Sequence, residues 1–410
     1  MKTFRKIVII TVFLLAAFCL SAFQTMEEDV PTLKNPNNDP LIPLNPMTGT
    51  PVSDPDLLTK PPVFVPLARY PSAFRPSSGH SQAQWVFEMY VGDEESRPIL
   101  MYYGAMPSGS VSRISSAIYG LEELRKQYGG VIFAGGTSKS ILESGILNLE
   151  LWYGTNGNQL YPELPLENYQ KFLNKWSKLV YPADPNNLTL NFSEEPPEGG
   201  RQADSLFFRY ASTNQILWRY DAVSGKYYRM QNSVEDPNSL EADVDASNGE
   251  QIGVENLIIL MAPHEWAPNQ SVVYGLFTVK LNYITTEPAL IFRDGKLYSA
   301  TWSTISEKYE RDSQRMRPIR FYDNEGNYFR LKPGKTWVHI VMPGNPYYEV
   351  EAELGSSITP GSGHWKMPYI SFKPGTIEQL QREVEELIAM DIRLNEPYYP
   401  YYFDQENNEE

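Results

Sequence analysis

Leu206-Phe-Phe-Arg-Tyr210 and Ile216-Leu-Trp-Arg-Tyr220, then Asp221-Ala-Val-Ser-Gly225 leading into Lys226-Tyr-Tyr-Arg229, are the stretch that decides the fold. The runs are short, aromatic and β-branched, and turn residues separate them. This predicts antiparallel strands joined by hairpins. The pattern continues downstream. Leu257-Ile-Ile-Leu-Met261 reads as a buried strand, and Asp294-Gly295 between Leu290-Ile-Phe292 and Leu297-Tyr298 is a two-residue hairpin signal. Asp323-Asn-Glu-Gly326 joins Ile319–Tyr322 to Tyr328–Leu331, and Trp337-Val-His-Ile-Val341 is a further strand. Residues 199–345 are therefore expected to form a β-rich domain, barrel or sandwich-like. His339, inside the last strand, is expected to be a satisfied sheet histidine and not a ligand.

Upstream the texture differs. Trp85–Val91 and Ile99–Tyr103 are strand-like, Ser112–Tyr128 carries Ile114, Ile118, Leu121 and Leu124 at helical spacing before Gly129-Gly130, and Val131-Ile-Phe-Ala134 is a short strand. A second helix is expected from about Leu166 to Val180. Residues 63–198 are thus expected to be an N-terminal α/β domain, making the whole chain α+β. A C-terminal extension, 346–410, holds an expected helix with a Thr376/Gln379 capping box and an aromatic, acidic tail.

The first residues give an address. Lys2, Arg5 and Lys6 precede 17 uncharged residues, Ile7–Phe23, so 1–23 reads as an export signal, slightly short of a membrane span. Cys19, the single cysteine, is a weak lipidation candidate, because Phe18 is bulky where a small residue is wanted. Residues 24–62 hold nine prolines, from Pro31 to Pro62, and read as a tether. The expected location is secreted or membrane-anchored, on the extracytoplasmic face of the cell, with membrane contact only through the N-terminal segment.

Composition narrows the function. The 410 residues include 35 Lys+Arg and 50 Asp+Glu, a net charge of -15, which disfavours nucleic acid as a partner. One Cys and four scattered His argue against a zinc site, so neither a metal nor a cofactor is expected. The acidic loop Asp236, Glu241, Asp243, Asp245 lacks EF-hand spacing and reads as solvated. No Gly-x-Ser-x-Gly nucleophile elbow is present, and no catalytic residue is assigned.

Binding candidates cluster in Arg75-Pro-Ser-Ser-Gly-His80 with Ser78, Gly79, Ser81, Gln82, Glu88 and Arg97. Arginine offers a planar two-donor fork for carboxylate or phosphate, and Gly79 lets backbone approach a ligand. Gly135-Gly136, after a strand, and Arg113, at the start of the expected helix, are anion-binding candidates, although a P-loop spacing is absent. Trp218, Tyr220, Tyr227, Tyr228, Trp302 and Trp337 are candidates for a sugar-stacking platform.

The motifs taken in order resemble the YerB-like lipoprotein family, a bacterial family of unknown function with N-terminal and C-terminal parts. Asn45-Pro-Met-Thr-Gly49, Arg75-Pro-Ser-Ser-Gly-His-Ser-Gln-Ala83 with Val86-Phe-Glu88, and Phe133-Ala-Gly-Gly-Thr137 carry the first part. Tyr220-Asp221, Gly225-x-Tyr-x-Arg229, Glu255-Asn256 with His264, Phe292-Arg-Asp-Gly-Lys296, Thr301-Trp302, Arg320–Asp323 and Pro333–Trp337 carry the second. The departures are Gln84 in place of an Asp, Ser112 and Ser115 in place of two arginines, and Asn158 in place of a His. The resemblance implies a cell-envelope protein, and the departures favour a non-catalytic binder or scaffold whose partner is an envelope protein or wall polymer. The alternative is an enzyme acting on a phosphate-bearing or glycan substrate through Arg75, Glu88, Arg97 and Arg113.

Overall fold

A computed structural model of the chain describes residues 43–69, 72–92, 95–105, 109–136, 190–236, 238–266, 286–304 and 316–369, with short pieces at 152–154, 171, 174–175, 188, 277–279 and 311. The export signal, Cys19, the start of the tether, most of the expected 166–180 helix, Asn158, and the C-terminal helix and tail lie outside the described residues.

Two sheets dominate. The larger has eleven strands. Its path runs Arg320–Tyr322, Lys296–Ser303, Glu287–Arg293, Asn256–Met261, Thr336–Val341, Trp85–Gly92, Glu95–Tyr102, Val63–Pro66, Val131–Ala134, Trp152–Gly154, with Arg201–Gln202 beside Lys296. The smaller has seven: Leu240–Ala242, Lys226–Asn232, Asn214–Asp221, Ser205–Ala211, His364–Pro368 and Tyr348–Val350, with Gly253–Val254 beside Lys226–Asn232. The described residues are mostly β, as the runs around Leu206–Arg229 lead one to expect.

The sheet is not divided at the boundary expected near residue 198. Trp85–Gly92 pairs in parallel with Thr336–Val341, which places Glu88 opposite His339. A parallel partner has to come from far along the sequence, and no local pattern announces it.

The expected helix over 112–128 is confined to Tyr119–Tyr128. Its first turns are extended because their backbone groups are already used. The Ser115 amide donates to the Pro66 carbonyl, the Ala68 amide donates to the Arg113 carbonyl, and Ile114 bridges Leu67. Gly129 ends the helix in the left-handed region, at φ 60°. The hairpin at Asp294-Gly295 forms as its sequence dictates, with φ of 53° and 68°, the two positive values of a type I′ turn.

The later part of the expected tether belongs to the body. Met47, Val52 and Leu58 are buried in the apolar layer that also holds Trp85, Phe87 and Tyr103. The Asn45 side-chain Nδ2 donates to the Tyr103 carbonyl at 2.6 Å, and the Trp85 indole N–H donates to the Met47 carbonyl at 2.7 Å. The segment includes a short 3-10 helix, Pro55–Thr59, and its prolines do not bar burial.

Strand alternation sorts the large sheet into two faces. Trp85, Phe87, Met89, Val338 and Ile340 face the layer that includes the Tyr119–Tyr128 helix. Val86, Tyr90, Trp337 and Val341 face the other way and pack with Leu206, Phe208, Ile216, Trp218 and Tyr227 of the small sheet. Among the described residues no helix is long and apolar enough to cross a membrane.

Candidate functional site: a charge cluster between the sheets

The same alternation that points Val86 and Tyr90 at the small sheet points Glu88 there too. By parity, His339 joins it from the Thr336 strand, and Arg229 and Gln231 come from Lys226–Asn232 to meet them. An apolar interlayer thus holds a set of ionisable groups. Arg229, Glu88 and His339 are each 0 % exposed.

Asp243 is the hinge of the set. One carboxylate oxygen accepts from Arg69 Nη2 at 2.5 Å, and the other accepts from Arg229 Nη1. The Gln231 side-chain oxygen accepts from both guanidiniums, at 2.9 Å from Arg69 and 2.7 Å from Arg229. Burial alone would push the Asp243 carboxyl up, but the Arg69 and Arg229 charges outweigh it and hold it well below the usual range. The acidic loop expected to be solvated therefore buries Asp243, and it buries Asp245 as well, because arginines and backbone amides are supplied by distant segments. Among the described residues no acidic or histidine group is arranged to hold a metal.

Glu88 lies on the far side of Arg229, whose Nη2 is 3.4 Å away. Its carboxylate accepts from the Ser96 hydroxyl at 2.6 Å and from the Trp337 indole N–H at 3.0 Å. Burial opposes the charge, but Arg229 and the Ser96 bond prevail and keep the carboxyl below its ordinary value. Arg229 also lies over the Trp337 ring, 5.0 Å from its centroid.

The two histidines nearby are fixed as neutral rings. Trp218 can only donate, so His339 Nε2 accepts from it at 2.9 Å, and Nδ1–H donates to the Tyr210 hydroxyl at 3.1 Å. His80 Nε2 likewise accepts from Arg69 Nη1 at 3.3 Å, and its ring stacks on Trp337 with centroids 6.0 Å apart. Burial lowers both imidazoles to about 4, and Arg69 adds to the effect at His80.

The segment singled out from sequence closes over this cluster. Asp245 accepts from the Gly79 amide at 3.1 Å, and from the Ser81 amide and hydroxyl at 2.7 Å each. Gly79 sits at φ 109°, where an added Cβ would meet the Tyr102 hydroxyl at 2.6 Å, so a side chain is excluded. Ser78 donates its hydroxyl to the Ser110 carbonyl at 2.8 Å. Gln82 contributes a carbonyl to the Gln84 side chain. Arg75 reaches the Asn232 carbonyl with Nη1 at 2.6 Å. Burial, then the charge of Arg69, lowers Arg75 to about 10.

Other candidates lie elsewhere. Arg97 has the opposite parity to Ser96 on its strand, and it pairs with Glu95 at 2.7 Å on the other face of the sheet. Arg113 is exposed and lies over the Phe74 ring at 5.9 Å. The Gly135 amide donates to the Ser115 carbonyl and the Gly136 carbonyl accepts from Ala117, so both pin the strand end. The residues that would open a helix after Gly136 lie outside the described set. Trp218, Tyr227, Trp302 and Trp337 are buried, which removes them from any sugar-stacking platform.

Sequence reasoning found Glu88 and the Arg75–His80 loop but not Arg69, Arg229 or Asp243 as their partners. The available signal was Tyr227-x-Arg229-x-Gln231, where an apolar position is followed by two polar residues of the same parity on a strand between apolar neighbours.

The comparisons with known proteins agree with this architecture. Residues 206–338 match the family described as "Protein of unknown function (DUF3048) C-terminal domain". The chain is 21% identical over 309 residues to "Putative lipoprotein YerB" of Bacillus subtilis (strain 168), covering 72% of this chain and 85% of that one. This chain is similar to YerB over most of its length. The crystal structure of the YerB protein from Bacillus subtilis superposes with a TM-score of 0.56 at 19% identity, covering 73% of this chain and 96% of that chain, which shows a shared fold. Arg75, Glu88 and Arg229 of the YerB-like chain all fall in segments that carry the resemblance.

Proposed function

We propose that this YerB-like chain is a non-catalytic binding protein of the bacterial cell envelope, exported through its first 23 residues and held outside the cytosol. The pairing of Trp85–Gly92 with Thr336–Val341 supports one joined body that meets an envelope protein or wall polymer.

The observation that carries the reading is the state of Glu88. Glu88 is the carboxylate of the alternative enzyme pocket, yet it is fully buried and bonded to Ser96, Trp337 and Arg229. A general acid needs a pKa near the working pH and reach to a substrate; Glu88 has neither. Arg97 and Arg113 hold no contact with it among the described residues. The YerB relative's name as a lipoprotein supports an extracytoplasmic address.

The test joins location and activity. Full-length chain in intact bacterial cells is treated with an external protease, and purified full-length chain is assayed against phosphate esters and wall glycans. Protease-accessible protein in the envelope fraction and no turnover support the reading. Cytosolic protein, or turnover abolished by Glu88→Gln, contradicts it.

A further inference from the structure

We infer that the outer face of the small sheet is a docking surface for the chain's own C-terminal segment, residues 376–388, which lies across Phe207 and Leu217 as a helix. This docking is independent of the binding reading above.

The burial of that face is the first observation. Leu206, Phe208, Ile216, Trp218 and Trp365 point toward the large sheet, so strand alternation turns Phe207, Leu217 and Lys366 the other way. The register sets them in one row: Tyr348 lies opposite Lys366, Lys366 opposite Phe207, Phe207 opposite Leu217, and Leu217 opposite Met230. The outward side of an antiparallel sheet is commonly wet and polar. Here Phe207 is 4 % exposed, Leu217 2 %, Lys366 1 % and Tyr348 8 %. Neither apolar layer of described residues includes Phe207 or Leu217. Among the described residues, the loop after Tyr348–Val350 reaches this face at one end, where Glu353 pairs with Arg219. The Tyr119–Tyr128 helix belongs to the layer on the far side of the large sheet.

Connectivity names the occupant. The internal stretches outside the described set follow Ala134, Gly154, Trp266 and Ser303, and each returns to the large sheet or to the apolar layer behind it. The N-terminal residues enter that same layer at Met47. The C-terminal residues leave instead from the small sheet, after His364–Pro368, the strand that pairs with Ser205–Ala211 and so borders Phe207.

Length, pattern and charge fit. Residues 370–375 can span up to about 20 Å, enough to turn onto the outer face. Ile377, Leu380, Val384, Leu387 and Ile388 fall on one side of a helix that opens with the Thr376/Gln379 capping box. A helix over 376–388 is about 20 Å long, and the row from Tyr348 to Met230 spans about 19 Å at the usual strand spacing. Arg209 shares the parity of Phe207 and is buried, as is Lys366. Glu383 and Glu385 flank the apolar stripe of the segment, so it brings acids to a face that holds two cations around an apolar centre.

The experiment places the photocrosslinker p-benzoylphenylalanine at Val384 of the full-length chain. A mixture of isotope-labelled and unlabelled protein is irradiated, and the joined peptides are mapped by mass spectrometry. Crosslinks within one chain to the strands of Phe207, Leu217 or Lys366 are expected. Crosslinks confined to the large sheet, crosslinks only between chains, or none at all overturn the inference, and the interchain result makes a second copy the occupant. Hydroxyl-radical footprinting of the full-length chain gives a second reading. Leu380→Asp combined with Leu387→Asp is expected to raise oxidation of Phe207 and Leu217 about tenfold, because two charges on the docking stripe shift the docked-to-open ratio. Trp85, in the other layer, stays protected. Leu354→Asp, at a position already 50 % exposed, leaves Phe207 and Leu217 as they were. Wild-type protection of Phe207 and Leu217 in the double variant overturns the inference. Oxidation of Trp85 rising in step marks loss of the whole fold, and the crosslink map then decides.

Discussion

Asp243 holds Arg69 with one carboxylate oxygen and Arg229 with the other, so a single side chain ties the loop after Val63–Pro66 to the small sheet. Both guanidiniums and the carboxylate are buried. Removing the shared anion leaves two buried cations facing a neutral group, so Asp243→Asn is expected to destabilise the chain by about 3–5 kcal/mol. The exposed pair Arg219–Glu353 is the internal control, with Arg219 51% exposed at its side chain. Glu353→Gln is expected to cost about 0–1 kcal/mol. Urea unfolding of both variants measures the contrast, and equal losses would remove the special role of Asp243.

Buried neutral histidines make stability depend on pH. His80, His264 and His339 have folded values lowered to about 4 from 6.5, chiefly by burial. The unfolded chain takes up protons below about 6.5 that the folded chain refuses until about 4. The stability these groups contribute is thus complete above the upper value and is lost as pH falls toward the lower one, by about 1.4 kcal/mol per pH unit for each group. Asp243, Asp245 and Glu88 are depressed carboxylates, and their contribution is lost only below the ordinary carboxylate range. Unfolding midpoints in urea should therefore drop steeply between about pH 7 and about pH 5. A flat profile across that window would show that the rings are protonated in the folded state.

The segment around Met47 is part of the fold. Met47 is 0 % exposed, and its carbonyl holds the Trp85 indole. Met47→Ala is expected to cost about 2–5 kcal/mol, as for other buried large-to-small changes. A loss of well under 1 kcal/mol in thermal or urea unfolding would mean that this segment is a dispensable spacer.

Local chemistry made much of this legible. The strands of the second half follow from aromatic runs between turn residues, and Asp294-Gly295 forms the turn its sequence names. Non-local pairing was hidden. Nothing near Trp85 says that its strand lies parallel to Thr336–Val341, and nothing near Ser112 says that the backbone bonds of Ser115 to Pro66 and of Arg113 to Ala68 will displace the helix. At the site, Arg75 and Glu88 stood out as polar residues in a turn and a strand. Arg69 and Asp243 did not, because one looked like a loop cation and the other like a solvated acid. Their meaning comes only from each other, across 174 residues of sequence.

The central claim is that the interlayer cluster is structural and that Glu88 does no proton chemistry. The pH titration of the Glu88 side-chain carboxyl carbon signal, by NMR on the full-length chain, tests it most directly. The account predicts that Glu88 stays ionised from neutral pH down past the ordinary carboxylate value of 4.5, until the protein unfolds. A reversible midpoint near neutral pH in the folded chain would contradict it and return the residue to the role of a catalytic acid.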